Sequence, residues 1–182
     1  MKKLLIAPAL LLLSVISFKA NAQTEKGDWM VGGQMAFNTT SGNSSFVLAP
    51  SAGYFFAKNF AGGSELTLSF GKLGDAKSSA IGLGPFLRYY FELKEPQFKP
   101  FIHTSFSFLS ETNKFAGEKT TNTARHFFLG AGGAYFINQN VALEAMMGYN
   151  NTKVENENSA GGFLFRVGFQ IHLLNGEVKG KK

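Results

Sequence analysis

The chain has 182 residues, no cysteine, 18 Lys and Arg against 12 Asp and Glu, and only 16% charged residues, below the ~25% of soluble domains. The absence of cysteine excludes a disulfide framework, a thiolate metal site and a lipoprotein anchor. Beyond the N-terminus no stretch holds 18 consecutive apolar residues, which excludes a transmembrane helix there.

At the N-terminus, Lys2 and Lys3 precede an apolar run from Leu4 to Phe18, and Ala20-Asn21-Ala22 supplies the small-x-small pattern that signal peptidase needs. That run is shorter than the ~20 residues of a spanning helix. Residues 1–22 are therefore read as a cleaved signal peptide, and the exported chain starts at Gln23. Cleavage removes Lys2, Lys3 and Lys19 and no acid, which leaves 15 Lys and Arg against 12 acids, a net +3 rather than +6. The remaining cations form no stripe, so a nucleic-acid partner is not expected.

From Trp29 onward the pattern has period two, which marks strands. In the first strand Trp29, Val31, Gly33, Met35 and Phe37 alternate with Met30, Gly32, Gln34, Ala36 and Asn38. The second carries Phe46, Leu48, Pro50, Ala52, Tyr54 and Phe56 on one face. The third sets Phe60, Leu66, Leu68 and Phe70 against Gly63 and Glu65. The fourth sets Ile81, Leu83, Leu87 and Tyr89 against Gly82, Gly84 and Arg88. The fifth, the weakest, has Ile102, Phe106 and Phe108 opposite His103, Ser105 and Ser107. The last three repeat the pattern around Phe127 and Leu129, Leu143 and Met147, and Phe163, Phe165 and Phe169. Runs of roughly 10 to 14 residues suit tilted strands crossing a bilayer; strands of soluble proteins are nearer 5 or 6.

The connections alternate between short turns (Ala57-Lys58-Asn59, Glu92 to Lys99, Asn138-Gln139-Asn140) and polar stretches expected as loops, at 38–45, 71–79, 111–123 and 150–160. Long loops on one side and short turns on the other are the habit of outer-membrane barrels, with both termini on the short-turn side. A repeat runs through the chain. Tyr54-Phe55-Phe56-Ala57-Lys58-Asn59-Phe60-Ala61 resembles Tyr135-Phe136-Ile137-Asn138-Gln139-Asn140-Val141-Ala142, and a Glu and then an Arg follow each (Glu65 and Arg88; Glu144 and Arg166).

Magnitude assigns the faces. A charge at the lipid-facing midplane costs ~2–4 kcal/mol. Glu65, Arg88, Glu144 and Arg166 all share the small, polar parity, so that face is the lumen. A soluble, lipocalin-like barrel would turn the same face to water, where its many glycines and few charges protect poorly. The fold class is all-β, an eight-stranded antiparallel up-and-down transmembrane barrel spanning 23–174 with a basic tail at 175–182. Tyr54, Tyr89, Phe91 and Tyr135 suit an aromatic girdle at the short-turn interface, and Phe55, Phe86, Phe101, Phe128 and Phe136 face inward.

Over residues 25–174 the chain resembles the OmpA/OmpX-like outer-membrane β-barrel family, nearest to its small Bacteroidetes-type members. The resemblance rests on Gly27-Asp28-Trp29-Met30-Val31-Gly32-Gly33, on Gly82-Leu83-Gly84-Pro85-Phe86-Leu87-Arg88-Tyr89-Tyr90-Phe91 and on Asn140-Val141-Ala142-Leu143-Glu144-Ala145. It implies an outer-membrane location, contact with membrane lipid and lipopolysaccharide, passage through the barrel-assembly machinery, and Glu–Arg pairing within the lumen ionic set Glu65, Arg88, Glu144 and Arg166. Two features depart from the family. No aromatic residue closes the chain, since Lys-rich sequence follows Leu173, and there is no room for a peptidoglycan-binding domain.

No catalytic, metal-ligating or cofactor-binding residues are expected. His103-Thr104-Ser105 is similar to the His-x-Ser of barrel lipid A deacylases, but its parity turns His103 and Ser105 to the lumen rather than to lipid. His126 and His172 lack carboxylates at ligand spacing. Gly130-Ala131-Gly132-Gly133 lacks the last glycine and the helix of a dinucleotide loop. The expected function is non-enzymatic, structural or surface-interacting through the outer loops; the alternative is a narrow passive pore gated by lumen Glu/Arg pairs.

Overall fold

The computed structural model describes residues 24–40, 43–74, 76–115, 118–155 and 158–173. The expected signal peptide and basic tail lie outside them. Eight strands follow in chain order: β1 (Trp29–Thr40), β2 (Asn43–Ala57), β3 (Phe60–Leu73), β4 (Ala76–Tyr90), β5 (Phe98–Phe115), β6 (Glu118–Phe136), β7 (Val141–Val154) and β8 (Ala160–Leu173). Each pairs antiparallel with its neighbours, and β1 pairs with β8 to close the barrel. Closure pairs the two edge strands from Trp29↔Leu173 to Met35↔Val167, so that their backbone groups there do not meet hydrocarbon unpaired.

The alternation in the sequence becomes the alternation of walls. Met30, Phe55, Phe86, Tyr90, Phe101, Phe128, Phe136 and Met146 are buried in the lumen, while Phe37, Leu83, Phe108, Phe163 and Phe165 are exposed on the outer wall. All eight strands follow the parity expected of them. Tyr54, Tyr89, Phe91 and Tyr135 lie on the outer wall at the short-turn end. Trp29 stands edge-on to Tyr54 at 5.3 Å, and Phe91 edge-on to Tyr89 at 5.1 Å.

The long loops differ from expectation. The polar stretches are mostly strand: β5 and β6 run for 18 and 19 residues, paired up to Phe115 and Glu118. Hydrophilic composition marked these segments as loops, yet Thr112, Thr120, Thr121 and Thr123 are β-branched and suit an extended pair in water. Thr112 and Thr121 are hydroxyl-bonded across the hairpin at 3.1 Å.

Two irregularities come from proline. β2–β3 pairing stops at Leu48↔Leu68 and resumes at Ser51↔Glu65; β4–β5 pairing stops at Leu83↔Phe108 and resumes at Phe86↔Ser105. Pro50 and Pro85 lie in these gaps, where the missing N–H removes ladder bonds. The register is the same on both sides of each gap. At the β2–β3 turn Asn59 adopts φ 64°, a conformation that asparagine tolerates.

Candidate functional site: the lumen ionic layer

The short-turn mouth is sealed first. Residues 24–28 fold across it: Asn59 N donates to Thr24 O at 2.7 Å, Gly27 N to Phe55 O at 2.8 Å and Phe55 N to Asp28 O at 2.9 Å. Lys99 Nζ, buried beneath, donates to Thr24 Oγ1 at 2.6 Å and to Asn59 Oδ1 at 3.4 Å. Outside, Lys58 pairs with Glu92 at 2.9 Å. That hydrogen bond holds Lys58 above its ordinary pKa and Glu92 below its own. Above the seal lies an aromatic layer in which His172 is ringed by Phe136 at 5.0 Å, Phe55 at 5.6 Å and Tyr90 at 6.1 Å.

The charged residues form the next layer. β4 presents Arg88 and β7 presents Glu144. Arg88 Nη1 donates to both carboxylate oxygens, at 2.7 and 2.9 Å. Tyr90 OH reaches Glu144 Oε1 at 3.2 Å, and Gln34 Nε2 from β1 reaches Oε2 at 3.1 Å. The guanidinium lies 4.4 Å from the centre of the Phe101 ring. Burial of such a pair is tolerable only with the carboxylate fully bonded, as it is here.

The second pair is looser. Arg166 Nη1 on β8 lies 3.4 Å from Glu65 Oε1 on β3, and Ser105 Oγ donates to the same oxygen at 3.3 Å. Arg166 stacks on Phe128, with Cζ 3.9 Å from the ring centre. Room for that ring comes from Gly130 and its cross-strand partner Gly148. A Cβ on either would stand under 3.0 Å from Phe128 ring carbons.

His103 lies between the two pairs and is hydrogen-bonded to the first. Its Nδ1 accepts from Arg88 Nε at 3.2 Å, which in the neutral ring places the hydrogen on Nε2, facing Glu65 Oε2 at 3.6 Å. Glu65, Arg88, Glu144 and Arg166 are thus brought into one buried layer. Sequence reading placed His103 and Ser105 in the lumen without joining them to this set, and it missed Gln34 and Tyr90 as partners. Their inward parity was visible, but their depth follows from register and strand tilt.

The pairing is reciprocal between the two repeats. The Glu of the first half binds the Arg of the second, and the Glu of the second binds the Arg of the first. Beyond the layer a cavity of about 530 Å³ opens toward the long-hairpin mouth, walled by Thr67, Ser69, Asn150 and Thr152, with His126 and Arg166 among its lining residues.

Comparison with known proteins agrees with this architecture. No curated protein sequence matches the chain. Among solved structures, Neisserial surface protein A superposes with a TM-score of 0.66 at 21% identity, over 80% of this chain and 99% of its own. The N-terminal β-barrel domain of Pseudomonas aeruginosa OprF gives 0.55 at 15% identity, over 81% and 98%. OprG of the same bacterium gives 0.50 at 12% identity, over 82% and 97%. These likenesses show the fold alone. The model of the outer membrane protein beta-barrel domain matches residues 9–172. The chain belongs to that family, and its place is the outer membrane.

Proposed function

We propose that the protein is a closed, non-enzymatic scaffold of the outer membrane, which meets its partners through its outer wall and long hairpins. The observation that carries this reading is the stacking of three filled layers across the lumen: the 24–28 seal, the aromatic layer around His172, and the ionic layer with His103 between its two pairs. Eight strands enclose a space that side chains just fill. The non-enzymatic reading rests on His103 and Ser105, both engaged with the ionic layer. Partners on this reading are outer-leaflet lipid and lipopolysaccharide, with the barrel-assembly machinery during insertion.

Planar-bilayer recording on protein whose heat-modifiable gel shift reports a folded barrel tests the proposal. Silent membranes are expected. A second reading, a gated pore, draws on the 530 Å³ cavity and the 3.4 Å spacing of Arg166 and Glu65. Discrete openings that lengthen in Arg166→Ala would favour it over the scaffold.

A further inference from the structure

Four lysines stand in one row on the outer wall. Lys72 on β3 is directly opposite Lys77 on β4, Lys77 opposite Lys114 on β5, and Lys114 opposite Lys119 on β6. All four are exposed and share the parity of Phe70, Ile81, Phe108 and Phe127, the side that faces lipid lower down. With strands about 4.8 Å apart, the row extends roughly 14 Å around the barrel. Where β6 meets β7 the arrangement recurs, with Arg125 opposite Lys153 and both exposed.

Like charges directly opposite each other across strands are destabilising. Among the described residues none of these cations has an ion-pair partner. Glu111 and Glu118 fall on the opposite parity of the hairpin, and Glu111 lines the lumen cavity. The rung below the lysines holds Phe70, Ser79, Thr112 and Thr121, where the apolar wall gives way to hydroxyls. A recess of about 320 Å³ lies at this boundary, lined by Lys72, Lys77, Lys114 and Phe70. The row therefore stands where the outer wall changes from apolar to polar side chains.

We infer that this row binds the phosphate groups of an outer-leaflet glycolipid of the lipopolysaccharide class. The lysines neutralise the phosphates, and the wall beneath them takes the acyl chains. The inference rests on the proposed outward orientation of the long hairpins and is independent of whether the lumen conducts.

The test uses full-length folded protein in neutral detergent, with purified lipopolysaccharide as probe and thermal unfolding and affinity as readouts. Lipopolysaccharide is expected to raise the melting temperature of the natural chain. Lys77→Gln/Lys114→Gln should melt no lower than the natural chain without lipid, since repulsion is relieved, and should lose about tenfold or more in affinity. The charge-matched Lys26→Gln/Lys94→Gln at the other end should keep its affinity. Equal binding by Lys77→Gln/Lys114→Gln, or equal binding of dephosphorylated glycolipid, overturns the inference. Displacement by millimolar inorganic phosphate overturns it in favour of a free-anion site. Orientation is tested separately with Asn113→Cys in this cysteine-free chain. Labelling by an impermeant thiol reagent on intact cells is expected, and its absence overturns the orientation and the inference together.

Discussion

Glu144 shows what a single side chain holds together in the lumen. It takes four hydrogen bonds from Arg88, Tyr90 and Gln34. Glu144→Ala strands the Arg88 guanidinium in the barrel and should cost about 3–5 kcal/mol in detergent-folded stability, measured by urea titration. Arg88→Ala/Glu144→Ala should recover part of that loss, because removing both charges leaves none uncompensated. At the short-turn end the pair Lys58–Glu92 is exposed, and its linkage has a definite sign. The lowered Glu92 contributes above the ordinary carboxylate range and loses its contribution as pH falls. The raised Lys58 contributes below the ordinary lysine value and loses it as pH rises. Lys58→Gln should therefore lower the melting temperature slightly at neutral pH and not at pH 3, and added salt should shrink the difference.

For the strands, parity was legible in the sequence and extent was not. Phe163, Phe165 and Val167 alternate with Leu164, Arg166 and Gly168, and that alone fixes both walls of β8. The ends of β5 and β6 were hidden, because Thr- and Asn-rich sequence has the composition of a loop while the chain continues its ladder. The lysine row was hidden too. Lys72 and Lys77 flank one turn and Lys114 and Lys119 another, but only the β4–β5 register places Lys77 beside Lys114. Gly84 shows how tightly adjacent strands approach at one such register. A Cβ there would stand 1.8 Å from the Phe106 carbonyl oxygen. Gly84→Ala must push β4 from β5 and should cost about 1–3 kcal/mol, read as a lower temperature for the heat-modifiable shift.

Across the whole molecule the reading of the lumen set came in two parts. The family resemblance implied that Glu and Arg pair inside, but which Glu meets which Arg depends on how far strand tilt carries β3 toward β8 and β7 toward β4. Double-mutant cycles should show this directly. Coupling between Arg88 and Glu144 should exceed that between Arg88 and Glu65, its neighbour within the same repeat. The crossed pairing also orders events in time. A chain inserted only as far as β4 holds Glu65 and Arg88 with neither ion-pair partner yet made, so its charges favour staying wet. Pairing is completed once β7 brings Glu144 and β8 brings Arg166, when β1 meets β8 over only the seven positions from Trp29 to Met35. Charge pairing thus favours the finished ring over half of one, because hydrocarbon admits paired charges more readily than unpaired ones.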